Sequence, residues 1–176
     1  MTARLKDIVR PESDMKDEAM SYKAFEELTA RILIGRRRRL FGSTPMFKQY
    51  KQVTASDLDC LESQLGHALP NALRIFLLIA GYGDLNGSYF GLRQEFFSVI
   101  ETGELANHVM FAQDELGNFY AYSCADGAIF FIERHAPEHA RLADNFETFL
   151  EELERRSFDL QGWTDSLKVL PYTWQR

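Results

Sequence analysis

Residues 54–87 read TASDLDCLESQLGHALPNALRIFLLIAGYGDLNG, and this stretch decides the fold class. Thr54 and Asp57 form a T-x-x-D variant of the capping box. The threonine hydroxyl accepts from an early backbone N–H, and the carboxylate faces the positive helix end. Leu58, Leu61 and Leu65 follow at helical spacing, and Gly66 stands where a left-handed residue closes a helix. Leu69-Pro70 restarts the chain, because a first-turn proline lacks only an N–H that has no intrahelical partner. Leu73, Phe76, Leu77 and Ala80 make a second apolar stripe that Gly81 ends. The sequence therefore predicts two short helices at a tight angle, feeding a glycine-rich exit, Gly81-Tyr82-Gly83-Asp84.

Working outward, the N-terminal residues up to Arg10-Pro11 read as an arm. Ser13 or Asp14 is expected to cap a helix running to Ile34, with Met20, Ala24, Leu28 and Leu33 as its buried stripe and Phe25 and Ile32 beside it. Gly35 ends it. Arg36 to Arg39, Leu40-Phe41 and a Gly42-Ser-Thr-Pro45 break follow, then a loop or short extended piece from Met46 to Val53. Beyond Gly91 the period becomes strand-like. Phe96 to Ile100, Val109 to Gln113, Asn118 to Ser123 and Ala128 to Glu133 are β-prone, with Ala125-Asp126-Gly127 as a hairpin turn. His135 to Arg141 reads as an irregular connection, and Asp144 caps a final helix that turns Phe146, Phe149, Leu150 and Leu153 toward the sheet. Helices grouped before and after hairpin-linked strands indicate an α+β fold with a mainly antiparallel twisted sheet. The expected organisation is an N-terminal helical extension over 1–53, a domain over 54–157 and an apolar tail over 158–176. That tail, with Leu160, Trp163, Leu167, Val169, Leu170, Tyr172 and Trp174, either packs back on the domain, as the division assumes, or joins two subunits in a homodimer.

A chain of 176 residues with 45% hydrophobic and 26% charged content has the makings of one globular domain with extensions. No apolar run approaches a membrane span, and the N-terminus lacks the apolar region of a secretory signal, so the expected compartment is the cytoplasm. Cys60 and Cys124 have no metal-binding or redox spacing and are expected to be unpaired. The net charge of −6 is unevenly spread. Residues 1–52 carry 12 Lys/Arg against 7 Asp/Glu, whereas residues 53–176 carry 8 against 19. Between Asp57 and Glu154 only Arg74, Arg93, Arg134 and Arg141 oppose 17 acids. Such a field repels nucleic acid and steers a cationic partner inward, although it also favours solubility.

The capped helix pair carries a pattern, "D-x-x-x-L-E-x-x-L-G-x-x-L-P" then "F-L-x-x-x-G", supplied here by Asp57, Leu61, Glu62, Leu65, Gly66, Leu69, Pro70, Phe76, Leu77 and Gly81. Downstream, Phe111 to Tyr122 contains "D-x-x-G-x-x-Y", Gly127-Ala-Ile-Phe-Phe-Ile follows, and Asn145-Phe-Glu-Thr-Phe-Leu150 opens the last helix. In this order, over roughly residues 54 to 152, they resemble the SUKH superfamily, which includes fungal cell-wall synthesis regulators of the Smi/Knr type. The resemblance implies the α+β fold of that superfamily. It also implies a binding role, since similar bacterial proteins commonly act as immunity proteins that block a cognate toxin, often a nuclease or deaminase.

Catalytic constellations are not apparent. His135 and His139 have an i, i+4 separation, but Pro137 lies between them and no H-E-x-x-H glutamate is present. Asp114-Glu115 reads as a solvated hairpin turn. The glycines from Gly81 to Gly87 lack a G-K-[ST] ending and follow a helix, so turns explain them better than a phosphate loop. No serine has a G-x-S-x-G setting, and Cys60 has no base near it in sequence. Arg36, Arg37, Arg38 and Arg39 are the only basic run; four adjacent arginines are a poor substitute for the dispersed contacts that hold phosphates, so nucleic acid is not the expected partner. No cofactor, metal, small-molecule substrate or membrane is expected. The expected function is a non-enzymatic immunity protein that binds a basic toxin. A cytoplasmic regulatory scaffold is the alternative, and an unrecognised hydrolase the third reading. The expected partner-binding surface comprises Tyr82, Asp84, Tyr89, Glu95, Asp114, Glu115 and Asp126, with acids steering and tyrosines anchoring.

Overall fold

The computed structural model describes residues 12–38, 40–87 and 89–173, with side chains from residue 22 onward. The expected arm, Met20's place in the first stripe, Arg39 and Trp174 lie outside what is described. The chain opens with α1 (Glu12–Ile34), a small hairpin of β1 (Arg36–Arg38) and β2 (Ser43–Pro45), and β3 (Phe47–Lys51). The helix pair is α2 (Ala55–Leu65) and α3 (Asn71–Ala80). Strands β4 (Tyr82–Leu85), β5 (Phe90–Leu92), β6 (Ser98–Ile100), β7 (His108–Gln113), β8 (Phe119–Ser123), β9 (Ile129–Ile132) and β10 (Glu138–Ala143) come next. The chain finishes with α4 (Phe146–Arg155), α5 (Leu160–Asp165) and β11 (Leu170–Pro171). The fold is α+β.

Among the described residues, nine strands form one antiparallel sheet in the order β11-β10-β9-β8-β7-β5-β4-β3, with β6 pairing the other half of β7's free edge. Its two faces are dissimilar. Tyr120 and Tyr122 of β8 point to the helices and are buried, while Phe119 and Ala121 point outward, the period-two alternation of a strand. The helix side holds the main core, which includes Phe25, Leu28 and Ile32 of α1 as well as Leu160 and Trp163 of α5. Amphipathic α4 buries Phe146, Phe149, Leu150 and Leu153 there. Each such side chain stabilises the fold by about 1.5–3 kcal/mol relative to exposure.

The helix pair forms for the reasons its sequence supplies. Thr54 Oγ1 accepts Asp57 N at 3.2 Å, and Asp57 Oδ2 accepts Thr54 N at 2.8 Å, so the capping box is reciprocal. Gly66 closes α2 at φ 69°. Glu62 then fastens the corner, accepting Leu69 N at 2.8 Å and Arg74 Nη1 at 2.7 Å. Pro70 is the N-cap of α3, one place before the first turn.

Several expectations are corrected. Ser13 and Asp14 fall inside α1, which starts at Glu12. The buried stripe of α1 is Phe25, Leu28, Thr29 and Ile32, with Ala24 exposed, a rotation of the expected face. Of the two readings of Met46 to Val53, loop or short extended piece, the second holds, since the segment contains the edge strand β3, paired to β4. Gly81 to Leu85 is not a turn. It carries β4, buried along its whole length, and the glycines let neighbouring backbone approach. A Cβ on Gly83 would lie 2.7 Å from Phe47 Cζ, and one on Gly81 would collide with Lys51 O. His135 to Arg141 is largely β10, so His139 sits on a strand and the helical spacing with His135 never arises. Asn145, not Asp144, caps α4, accepting Thr148 N at 2.8 Å; Asp144 pairs with Arg141.

On the outer face, Leu105, Ala121 and Ile132 make a second, smaller cluster with Ile100, Met110, Phe119, Phe130 and Tyr172 around it. Thr173 donates its N–H to Glu104 Oε2 at 2.9 Å and its hydroxyl to Oε1 at 3.1 Å, strapping the chain end over this cluster. A cavity of about 350 Å³ remains beneath, lined by Ile100, Leu105, Met110, Phe119 and Tyr172 among others. His139 lies in this apolar layer, 6.1 Å from the Phe130 ring and 5.9 Å from Tyr172. Burial, and secondarily His108, pull its pKa below the ordinary value; Glu104 opposes them.

Two outcomes follow. Gly81 has φ 73° and ψ −168°, a region that only glycine occupies readily, so Gly81→Ala combines backbone strain with a clash. Urea unfolding is expected to show a loss of about 2–4 kcal/mol; a loss below about 0.5 kcal/mol would mean that β3 and β4 part easily at this point. For His139, the unfolded chain binds more protons than the folded one between the ordinary pKa of about 6.5 and the depressed folded value. Its stabilising share is therefore complete above about pH 6.5 and lost as the pH falls. Asp57, Glu152 and Glu154, whose pKa values are lowered by hydrogen bonds from Thr54, Arg155 and Arg31, act only further into acid. Unfolding measured between about pH 7 and pH 5 should slope less in His139→Leu than in the parent; equal slopes would assign the acid sensitivity elsewhere.

Candidate protein-binding cleft

The β7–β8 connection is built by one carboxylate. Asp114 Oδ1 accepts the backbone N–H groups of Leu116 at 3.0 Å and Asn118 at 2.9 Å. Oδ2 accepts Asn118 Nδ2 at 3.0 Å and the Tyr120 hydroxyl at 3.1 Å. Gly117 completes the turn at φ 86°, with Arg134 packed so closely that a Cβ would lie 2.8 Å from its Cδ. The Tyr120 pKa is driven well up by burial, reinforced by Asp114, so its hydroxyl stays protonated and donates. D-x-x-G-x-x-Y is thus a turn device.

That turn projects Glu115 into solvent beside Tyr89 from the β4–β5 connection. Arg37 stacks on Tyr89 with its guanidinium carbon 5.1 Å from the ring centre, and donates to Asn86 O at 3.2 Å. Between the turn, the end of β9 and α5 lies a cleft of about 160 Å³. Asp114, Glu115, Glu133 and Asp165 line it together with the neutral polar Tyr89, Asn118, Gln161 and Thr164, and Leu116, Phe131, Leu160 and Val169 supply its apolar lining. None of Glu115, Glu133 and Asp165 makes an ion pair with another described residue. Low-dielectric walls lined by one sign of charge focus the field outward, and the apolar floor leaves room for an inserted side chain.

Of the seven predicted residues, the structure gathers Tyr89, Asp114 and Glu115 here. The others go elsewhere. Tyr82 is 4% exposed, faces the core with its ring 6.2 Å from Phe97, and has its pKa raised to about 12 by burial. Asp84 is also 4% exposed; it accepts from the Tyr50 hydroxyl and from Arg93 Nη2 at 3.4 Å, tying β3 to the strand beyond. Both are buried because β4 is an interior strand, covered on its outer edge by β3, where a surface loop was expected. Tyr120 and Tyr122 are core residues, because their face of β8 meets the helices. Glu95 is exposed on the 3-10 turn Gln94–Phe96 beside a separate hollow formed with α2 and β6. Asp126 is exposed in the β8–β9 turn, at the opposite end of β8 from Asp114, 3.7 Å from Arg141. Sequence reasoning missed Glu133 and Asp165, which become neighbours only through the return of α5.

Among the described residues, no three His, Cys, Asp or Glu side chains gather at metal-binding distance. Cys60 is exposed and Cys124 half-buried, both as free thiols. No helix among the described residues is long and apolar enough to cross a membrane.

Fold and cleft together define an α+β protein with a helix-backed antiparallel sheet that presents acids and apolar side chains at one end of that sheet. The chain belongs to the SMI1 / KNR4 family (SUKH-1), whose family model matches residues 52–152, more than half of its length. No curated protein and no solved structure matches it.

Asp114 and Glu115, adjacent in sequence, should separate in experiment. Asp114→Ala strands the Asn118 and Tyr120 donors and is expected to cost about 2–4 kcal/mol in urea unfolding. Glu115→Ala should stay within about 0.5 kcal/mol of the parent. Equal effects would show that the turn is not organised by the Asp114 carboxylate.

Proposed function

We propose that the chain is a non-enzymatic, stoichiometric binding protein of the cytoplasm: an immunity protein that occludes a basic, nucleic-acid-targeting toxin. The observation that carries this reading is the acidic cleft, whose Glu115, Glu133 and Asp165 make no ion pair with another described residue, on a member of the SMI1 / KNR4 family. A toxin that engages nucleic acid presents cationic side chains, and the cleft offers them Glu115, Glu133 and Asp165 around an apolar floor. Steering by such a field raises the association rate, while a basic side chain with a long aliphatic stem is suited to the floor. Inhibition then needs no chemistry. It needs only that the bound partner's substrate path is covered.

The partner to test is the product of the adjacent gene, mixed with the full chain and followed by titration calorimetry and by the partner's own activity. The expected result is a 1:1 complex whose association slows with salt and whose affinity falls at least about tenfold in Glu115→Lys with Glu133→Lys. Asp114 is left intact in this pair, because its loss would disturb the turn. A complex insensitive to both salt and the charge reversals would remove the cleft from the interface. Tight binding without inhibition would favour the regulatory scaffold.

A further inference from the structure

The β1–β2 hairpin presents the most exposed apolar side chains among the described residues, Leu40 at 98% and Phe41 at 99%. Two adjacent large apolar side chains left in water invite a partner that covers them. Their mounting is firm. Arg36 bonds Ser43 Oγ at 2.8 Å and Ser43 O at 3.0 Å across the hairpin. Arg37, stacked on Tyr89 and bonded to Asn86, anchors the hairpin's base to the domain. Arg38 is exposed and makes no ion pair with a described residue. The result is a basic, apolar knob on a hairpin whose base is fixed to the domain.

The knob stands next to a hole of opposite character. A groove of about 700 Å³ runs from Arg38, Leu40 and Phe41 to Tyr89 and Glu115, and the last two also line the acidic cleft. One patch therefore carries a cationic, apolar projection beside an anionic, apolar recess. A surface complementary to itself in this way is what a two-fold interface requires. We propose that two copies of the chain associate about a two-fold axis, each seating its Leu40-Phe41 tip in the other's acidic cleft, with Arg38 against Glu115 and Glu133. A phosphate-rich or anionic lipid surface fits less well, because the net charge of −6 and the adjacent Glu115 oppose it. This association concerns the chain alone and goes beyond the proposed function. A cationic partner aimed at the same cleft would have to displace the second copy.

Sedimentation velocity on the full chain, without any partner, tests it over about 1 to 100 µM, the range where an interface of modest size dissociates. The expected result is a monomer–dimer equilibrium that weakens with salt. Leu40→Asp with Phe41→Asp, and separately Glu115→Lys with Glu133→Lys, should each weaken dimerisation at least about tenfold. These positions are on the surface or at the cleft rim, and circular dichroism confirms that each variant is folded. An equimolar mixture of the two variants should regain dimers, since one knob meets an intact hole and the altered knob, now acidic, meets an altered hole, now basic. A monomer throughout the range overturns the proposal, as does a dimer indifferent to both variants or a mixture that fails to recover. Binding of the parent monomer to phosphatidylserine vesicles through Phe41 would assign the tip to a membrane instead.

Discussion

The structure depends on an aromatic seam between α4 and the sheet. Phe146 meets Phe76 of α3 at 5.6 Å and Phe111 of β7 at 5.9 Å, edge to face in both cases. One turn on, Phe149 meets Phe90 of β5 at 5.4 Å and stacks on Trp163 of α5 at 5.6 Å. Such pairs add about 0.5–1.5 kcal/mol each beyond the area they bury. More important is what they connect. Four elements distant in the chain are held by two neighbouring phenylalanines, so the helix pair, the sheet and the tail share one core. Arg31 and Glu154, bonded at 2.9 and 3.0 Å, add α1 to this assembly at its rim.

The residues that carry the family pattern are spent on architecture. Asp57 caps, Glu62 fastens a corner, Gly66 and Gly117 take positive φ, and Asp114 and Tyr120 close a turn. Family membership therefore accounts for the frame and leaves its partner open. The groups free to meet another molecule lie between those positions or outside the family region: Glu115 within the turn, Glu133 past a strand end, Asp165 on α5 and Leu40-Phe41 on a hairpin.

Legibility from sequence followed the range of the interactions. The Thr54–Asp57 capping box, the closure at Gly66 and the apolar face of α4 depend on residues within a turn or two, and those readings agree with the structure, whereas the cap of α4 was read one residue early. The face of α1 was misjudged by part of a turn because its apolar residues, Ala24, Phe25, Leu28, Ile32 and Leu33, permit several stripes, and packing on α3 selects one. The run Gly81 to Leu85 looked like a turn because glycine is read locally as freedom. Here glycine serves closeness, since β3 passes directly beside it. Of the candidate surface, Tyr89, Asp114 and Glu115 lie together at the cleft, with Asp114 held within its turn, while Tyr82 and Asp84 are buried on β4, an interior strand where a loop was expected.

By itself, the sequence determined the α+β class, the capped helix pair, the hairpin-linked strands β7 to β9 and the acidic balance of residues 53–176, because periodicity, capping and charge are properties of neighbouring residues. Only the tertiary structure decided which strand face met the helices, which acids stood together and where the arginine hairpin pointed. Those outcomes rest on contacts across scores of residues, such as Phe149 with Trp163 or Arg37 with Tyr89, whose partners are chosen by how the whole core packs.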